Sequence, residues 1–110
     1  MGRNVFCYND NITEFVIHDN MTHVGYQCFM RCENLSKLTI GEQVNNIDSM
    51  AFYGCSSLSE IIAKGSKAPT VNYAAFDGVK NNGKVYYPQG SDYSKWENDN
   101  DLSGWEFISQ

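Results

Sequence analysis

The feature that most constrains this chain is a repeat. Three segments, Ile12-Thr-Glu-Phe-Val-Ile17, Leu35-Ser-Lys-Leu-Thr-Ile40 and Leu58-Ser-Glu-Ile-Ile-Ala63, start at 12, 35 and 58, so each begins 23 residues after the last. The register continues through the rest of each unit. Val24 corresponds to Ile47 and, after a one-residue insertion, to Val71, and Phe29, Phe52 and Phe76 follow in step. Cys32 corresponds to Cys55, while Cys28 corresponds to Ala51 and Ala75. Val5-Phe6 stands one period before Cys28-Phe29, so the chain begins partway through a unit. A unit this short cannot enclose its own apolar side and must bury it against copies of itself.

The expected fold is therefore a mostly β, right-handed solenoid of about three 23-residue repeats with short helical turns. Residues 5–11 form a partial repeat, 12–34, 35–57 and 58–83 the three repeats, and 84–110 a C-terminal cap, all within one domain of 110 residues. In each unit the first, fourth and sixth apolar residues (Leu35, Leu38 and Ile40) should face inward from a short strand. A second extended stretch is expected at Met21 to Val24 and at Val44 to Ile47. A tight helical turn is expected over Cys28-Phe-Met-Arg-Cys32 and Ala51-Phe-Tyr-Gly-Cys55.

The phrase Ile47-Asp-Ser-Met-Ala-Phe-Tyr-Gly-Cys-Ser-Ser-Leu-Ser-Glu-Ile-Ile62 resembles the BspA-type leucine-rich repeat: an isoleucine, a polar stretch, Ala-Phe, Gly-Cys, then Ser-Leu. The resemblance covers Val5 to about Val79. The tail from Lys67 is similar to the usual ending of such proteins, with Ala68-Pro-Thr70, Ala75-Phe76, Tyr87-Pro88, Tyr93 and Gly104-Trp105. Two departures stand out, Arg31 where a Gly precedes the Cys and Val79 where a Cys is usual. The resemblance implies a leucine-rich-repeat solenoid from a secreted or surface-anchored protein, many such proteins being bacterial, with a role in adhesion or protein recognition.

The end of the chain reads as a closing device. Lys84-Val-Tyr-Tyr-Pro88 continues the ladder, placing Val85 beside Ile61 and Tyr86 beside Ile62, and Pro88 ends it. Ser91 is a candidate N-cap for a short helix from Asp92 to about Asn98, whose Tyr93 and Trp96 share one face. Trp105 and Phe107 alternate with Glu106 and Ile108, as in an edge strand. No comparable device opens the chain, so it is expected to be the C-terminal end of a longer array.

Candidate chemistry is sparse. The net charge is −5 and the basic residues are scattered singly, which leaves no stripe to follow a phosphate backbone and argues against nucleic acid. No run of apolar residues is long enough to span a bilayer, and the first residues lack the layout of a signal peptide. Cys28 and Cys32 occupy repeat columns and read as buried fillers, not metal ligands, although His23 is near in sequence. Cys32 and Cys55 should stack about 5 Å apart on adjacent coils, a separation that permits a disulfide, although parallel side chains in a ladder favour free thiols. Cys7 aligns with Met30 and Tyr53 in a variable column and is the candidate reactive thiol. His18 and His23 have no nucleophile in a recognisable setting, and no enzyme is expected.

Asp99, Asp101 and Ser103, followed by Gly104, match the first half of a calcium loop, but the twelfth position is Gln110 instead of a bidentate Glu. An acidic turn is the preferred reading, with no metal or cofactor. Three sequons, at Asn11, Asn20 and Asn34, would accept glycans only in a eukaryotic secretory route.

The outward strand positions give two columns. Glu14, Lys37 and Glu60 alternate in sign, whereas Val16, Thr39, Ile62 and Tyr86 end in an exposed aliphatic beside an aromatic and form the candidate ligand-contact row. The expected role is a monomeric, non-enzymatic adhesion module at the cell surface or outside the cell, binding a protein of a host or neighbouring cell. A structural cap for a longer array is the alternative, as is a glycan-binding surface built from Tyr86, Tyr87 and a surface tryptophan.

Overall fold

A computed structural model describes residues 2–110. In chain order its strands are β1 (Glu14–Ile17), β2 (His23–Val24), β3 (Lys37–Ile40), β4 (Asn46–Ile47), β5 (Glu60–Ala63), β6 (Thr70–Val71), β7 (Lys84–Tyr87) and β8 (Glu106–Ser109), with one helical turn, α1 (Ser94–Glu97), and a 3-10 turn at Asn100–Leu102. Strands β1, β3, β5, β7 and β8 lie in that order in one sheet, and β2, β4 and β6 in a second. Every pairing is parallel. Equivalent residues of successive repeats sit side by side, Phe15 beside Leu38 and Leu38 beside Ile61, which is the ladder the 23-residue spacing requires.

Alternation along each strand sends Leu38, Ile40, Ile61, Ala63 and Val85 into the core, while Leu35 and Leu58 fill it from the preceding bend. Ile12 and Phe15 are only half-buried, because in the first coil they are covered from one side.

The third side of each coil is not the expected helical turn. Pairs of residues four apart adopt left-handed backbone conformations: Asn4 and Tyr8, Gln27 and Arg31, Met50 and Gly54, Ala74 and Gly78. Alternate N–H groups then point along the stack. Gln27, Phe29 and Arg31 donate to the carbonyls of Ser49, Ala51 and Tyr53 in the next coil, at 3.3, 2.7 and 2.6 Å. The alternate N–H groups, of Cys28, Met30 and Cys32, close turns onto the carbonyls of Gly25, Gln27 and Phe29. Successive N–H groups of an α-helix all point along its axis, so a segment whose N–H groups alternate between closing turns and bonding along the stack is not one. Arg31 takes the same left-handed backbone as Gly54 (φ 56° against 74°), and Val79 makes the same turn bond to Phe76 that Cys55 makes to Phe52. Neither departure from the repeat alters the coil.

Down the centre runs a stack of rings. Phe6, Phe29, Phe52 and Phe76 lie 5.2, 5.1 and 5.3 Å apart between centroids, the last two pairs within 7° of parallel. Trp96 ends the stack, 5.6 Å beyond Phe76. The closing segment also completes hydrogen bonds that no further coil makes. The Tyr93 hydroxyl donates to Gly65 O at 2.8 Å, Trp96 Nε1 to Pro69 O at 3.0 Å and Trp105 Nε1 to Lys80 O at 2.8 Å. The helix is shorter than expected and Ser91 does not cap it. Instead Asp92 Oδ1 accepts from Ser94 N at 3.0 Å, because the helix begins after Tyr93. As expected, β8 forms the sheet's edge, paired with β7.

Candidate functional site

The first sheet presents two exposed rows built by register. In the first, Glu14, Lys37, Glu60, Lys84 and Glu106 follow one another across all five strands with alternating sign. Side by side, such pairs add a few tenths of a kcal/mol each, about what cross-strand charge pairs contribute. The second row runs Val16, Thr39, Ile62, Tyr86 and Ile108. At one strand spacing per step it spans roughly 20 Å. Val16 is 57% exposed, and the other four are half-buried by their neighbours.

The structure thus brings Val16, Thr39, Ile62 and Tyr86 together as adjacent residues on one face. Ile108 completes the row and was missed, because β8 follows β7 at an interval of 22 residues outside the repeat. The signal was present in the alternation of Trp105 to Ile108, but nothing in it identified the neighbouring strand. Beyond this row, Lys64 Nζ reaches Asp19 at 3.0 Å, and Asp19 also accepts Glu42 N–H at 3.2 Å. The Lys64 hydrogen bond holds the Asp19 carboxyl below the usual carboxylate range. Both side chains are nearly half exposed, so the pair pins three coils together weakly.

The acidic stretch near the end is a turn with its carboxylates committed to backbone. Asp99 Oδ1 accepts Asp101 N–H at 2.9 Å, which starts the 3-10 turn, and Asp101 Oδ2 accepts Phe76 N–H at 3.3 Å. Burial, then the charge of Asp99, pushes the Asp101 carboxyl up. Ser103 is exposed. Among the described residues no group of three or more His, Cys, Asp or Glu is placed to hold a metal ion.

All four cysteines are free thiols. Those of Cys32 and Cys55 donate to the carbonyls of Phe6 and Phe29 in the preceding coil, at 3.0 and 3.1 Å, so the repeated cysteine supplies a bond along the stack. Burial raises the pKa of Cys28, Cys32 and Cys55, the last to about 12. Cys7 is half-buried where the other three are buried, and burial pushes its thiol up as well. His18 and His23 are exposed.

Trp96 is 1% and Trp105 7% exposed, and Tyr87 turns its ring onto Tyr93 at 5.2 Å, which leaves Tyr86 as the one outward ring of that set. Among the described residues no helix is long and apolar enough to cross a membrane.

Comparison with curated proteins and with solved structures finds no match. The family model described as the BspA type leucine rich repeat region matches six copies over residues 1–97. With that match covering most of its length and a coil-by-coil parallel ladder beneath it, the chain belongs to the BspA-type leucine-rich repeat family.

Proposed function

We propose that this chain acts as an adhesive protein-interaction module at a cell surface or in the extracellular space, engaging a protein of a host or neighbouring cell through the row Val16, Thr39, Ile62, Tyr86 and Ile108. Leucine-rich repeat modules bind proteins, and no residue cluster described above supplies a catalytic constellation. The observation that carries the reading is the row itself: four apolar side chains and one threonine, set by register on a rigid five-stranded sheet beside a row of charges. An apolar strip with a polar border is the layout of a protein contact surface. Tyr86, flanked by Ile62 and Ile108, is the aromatic anchor such surfaces concentrate their affinity on. The net charge of −5 favours a partner with a basic rim.

The test is binding of the chain to an array of host and neighbouring-cell proteins, with Ile62→Asp and Tyr86→Ala compared with the unmodified chain. Both positions are partly exposed, so the variants should fold, as far-UV circular dichroism will report, and lose the interaction. Unchanged binding by folded variants would remove this face from consideration. A second reading, an end piece supporting a longer array, draws on the three aromatic donors that close the last coil. It predicts that a chain lacking residues 91–110 associates or unfolds.

A further inference from the structure

The second sheet stops short of the first. Its order is β2, β4, β6, and among the described residues no strand pairs beyond β6, whereas the first sheet continues through β7 and β8. The consequence falls on Val71. Thr70 N–H donates to Asn45 O at 2.9 Å and Asn72 N–H to Ile47 O at 3.0 Å, so both residues turn their main-chain groups toward β4. Val71 lies between them and, by the alternation of a strand, turns its N–H and C=O the other way. Ile47 and Val24 hold the same orientation one and two coils earlier. Each is met there by the next coil, Val24 O by Asp48 N–H at 2.9 Å and Ile47 O by Asn72 N–H at 3.0 Å. Among the described residues nothing meets Val71. The closing segment satisfies the neighbouring carbonyl, Pro69 O, through the Trp96 indole at 3.0 Å and goes no further along this edge.

Two cavities flank that open pair. One, of about 440 Å³, is lined in part by Lys67, Thr70, Asp92 and Lys95, and the other, of about 380 Å³, by Asn72, Tyr73, Asp77 and Asp101. Both are lined by Val71 and Asp99, so the two recesses adjoin at the residue that carries the open main-chain groups. An unpaired N–H and C=O with a recess on either side is the geometry of strand addition, in which main-chain hydrogen bonds supply affinity and the recesses select side chains.

Charge selects at one end only. The first recess mixes two lysines with Asp92 and Asp99, while the second has Asp77, Asp99 and Asp101 and no cation in its lining. Tyr73, 81% exposed, stands on the wall of the second recess and offers a ring to the stem and charge of a long basic side chain. Burial pushes the Asp101 carboxyl up and the charges of Asp99 and Asp77 add to it, a repulsion that a bound cation would relieve.

We propose that the groove over Val71 binds an extended peptide as a fourth strand of the second sheet, with a lysine or arginine side chain seated among Asp77, Asp99 and Asp101. The site belongs to the second sheet and does not depend on the outward row of the first.

The experiment pans the full chain against a library of random linear octapeptides and measures the enriched sequences by fluorescence polarisation. Enriched peptides are expected to share a Lys or Arg. Val71→Pro removes the open main-chain N–H while Thr70 and Asn72 keep their bonds to β4, and should weaken binding about tenfold, as loss of a main-chain hydrogen bond would. Asp77→Asn should relax the preference for a basic residue, and Ile62→Asp should leave peptide binding unchanged. Independently of any variant, exchange of the Val71 amide, fast in the free chain, should slow when peptide is bound. No enrichment, enrichment without a basic residue, full binding by a folded Val71→Pro chain, or an unprotected Val71 amide would each overturn the proposal. If Val71→Pro fails to fold, the amide measurement decides.

Discussion

The carboxylate of Asp101 stands where the carbonyl of a further coil would stand. Its Oδ2 accepts the N–H of Phe76 at 3.3 Å, as the carbonyls of Ala51 and Ala75 accept the N–H groups of Phe29 and Phe52, each at 2.7 Å. A side chain thus ends a ladder of backbone bonds, at the cost of holding a carboxyl in a partly buried place. Burial raises its pKa first and Asp99 adds to that, with the Phe76 hydrogen bond opposing both. A folded state with a raised carboxyl pKa binds its proton more tightly than the unfolded chain, so this group's contribution falls as pH rises through the raised value. Asp19 and Asp92 are shifted the other way, but both lie at the surface, where solvent screening leaves them little weight.

Asp101→Asn keeps the acceptor and removes the charge. It should match or exceed the parent's stability at neutral pH and lose the decline in stability with rising pH that Asp101 imposes. Asp101→Ala leaves the Phe76 N–H without an acceptor and should cost about 1–3 kcal/mol. Urea unfolding between roughly pH 4 and pH 7 separates the two. Equal losses in both variants would mean that the charge, not the acceptor, holds the end of the ladder.

Phe52 is fully buried between Phe29 and Phe76, with ring planes 7° and 4° from parallel. Phe52→Ala should cost about 3–5 kcal/mol, the range for emptying an aromatic site in a core. Because each coil touches only its neighbours, the loss should also broaden the unfolding transition as the two ends uncouple. Phe6→Ala, at the half-buried start of the stack, should cost less. Equal losses in thermal unfolding would show that the ring stack does not connect the coils.

What could be read in the residues was whatever repeats. Leu38 and Ile61 share a row because they share a place in the unit, and the charged and apolar outward columns followed from the same register. The turn was misread because its left-handed positions hold Gln27, Arg31, Met50 and Ala74 as readily as Gly54, so no glycine pattern announces them. Helical and stack-directed bonding are also indistinguishable in a five-residue apolar phrase. Ile108 and the caps depend on where the non-repeating tail returns, which tertiary contacts fix. The same acidic letters spell a calcium loop and a turn, and it is the direction of Asp101 toward a backbone N–H that separates them. The groove at Val71 arises from a strand that does not follow, which no repeated letter can encode.

The cysteines give a chemical test of the coil packing. Cys28, Cys32 and Cys55 are fully buried with raised pKa values, and Cys7 is half-buried with its thiol also raised. Reaction is carried by the thiolate, so the native chain at about pH 8 should show at most one modifiable thiol, Cys7, reacting more slowly than free cysteine. All four should react in denaturant. Mass spectrometry after iodoacetamide treatment counts them, and modification of Cys55 in the native chain would contradict the packing.

Gly83 marks how tightly the closing segment is seated. A Cβ placed there would lie 2.6 Å from three atoms of the Trp105 ring, well inside contact distance. The ring cannot simply lean away, since its Nε1 is tied to Lys80 O at 2.8 Å and only 7% of the residue is exposed. Gly83→Ala must therefore displace the indole, and the overpacking and the lost hydrogen bond together should cost about 2–4 kcal/mol. Gly90→Ala is the control. Its φ of +87° disfavours a side chain, but nothing lies within 4 Å of the added carbon, so it should cost only about 1 kcal/mol of backbone strain. Near-ultraviolet circular dichroism separates the mechanisms: Gly83→Ala should change the tryptophan bands and Gly90→Ala should not. A Gly83→Ala chain with parental stability and unchanged bands would mean that Trp105 is not clamped over the last coil, and the indole could then not be what closes it.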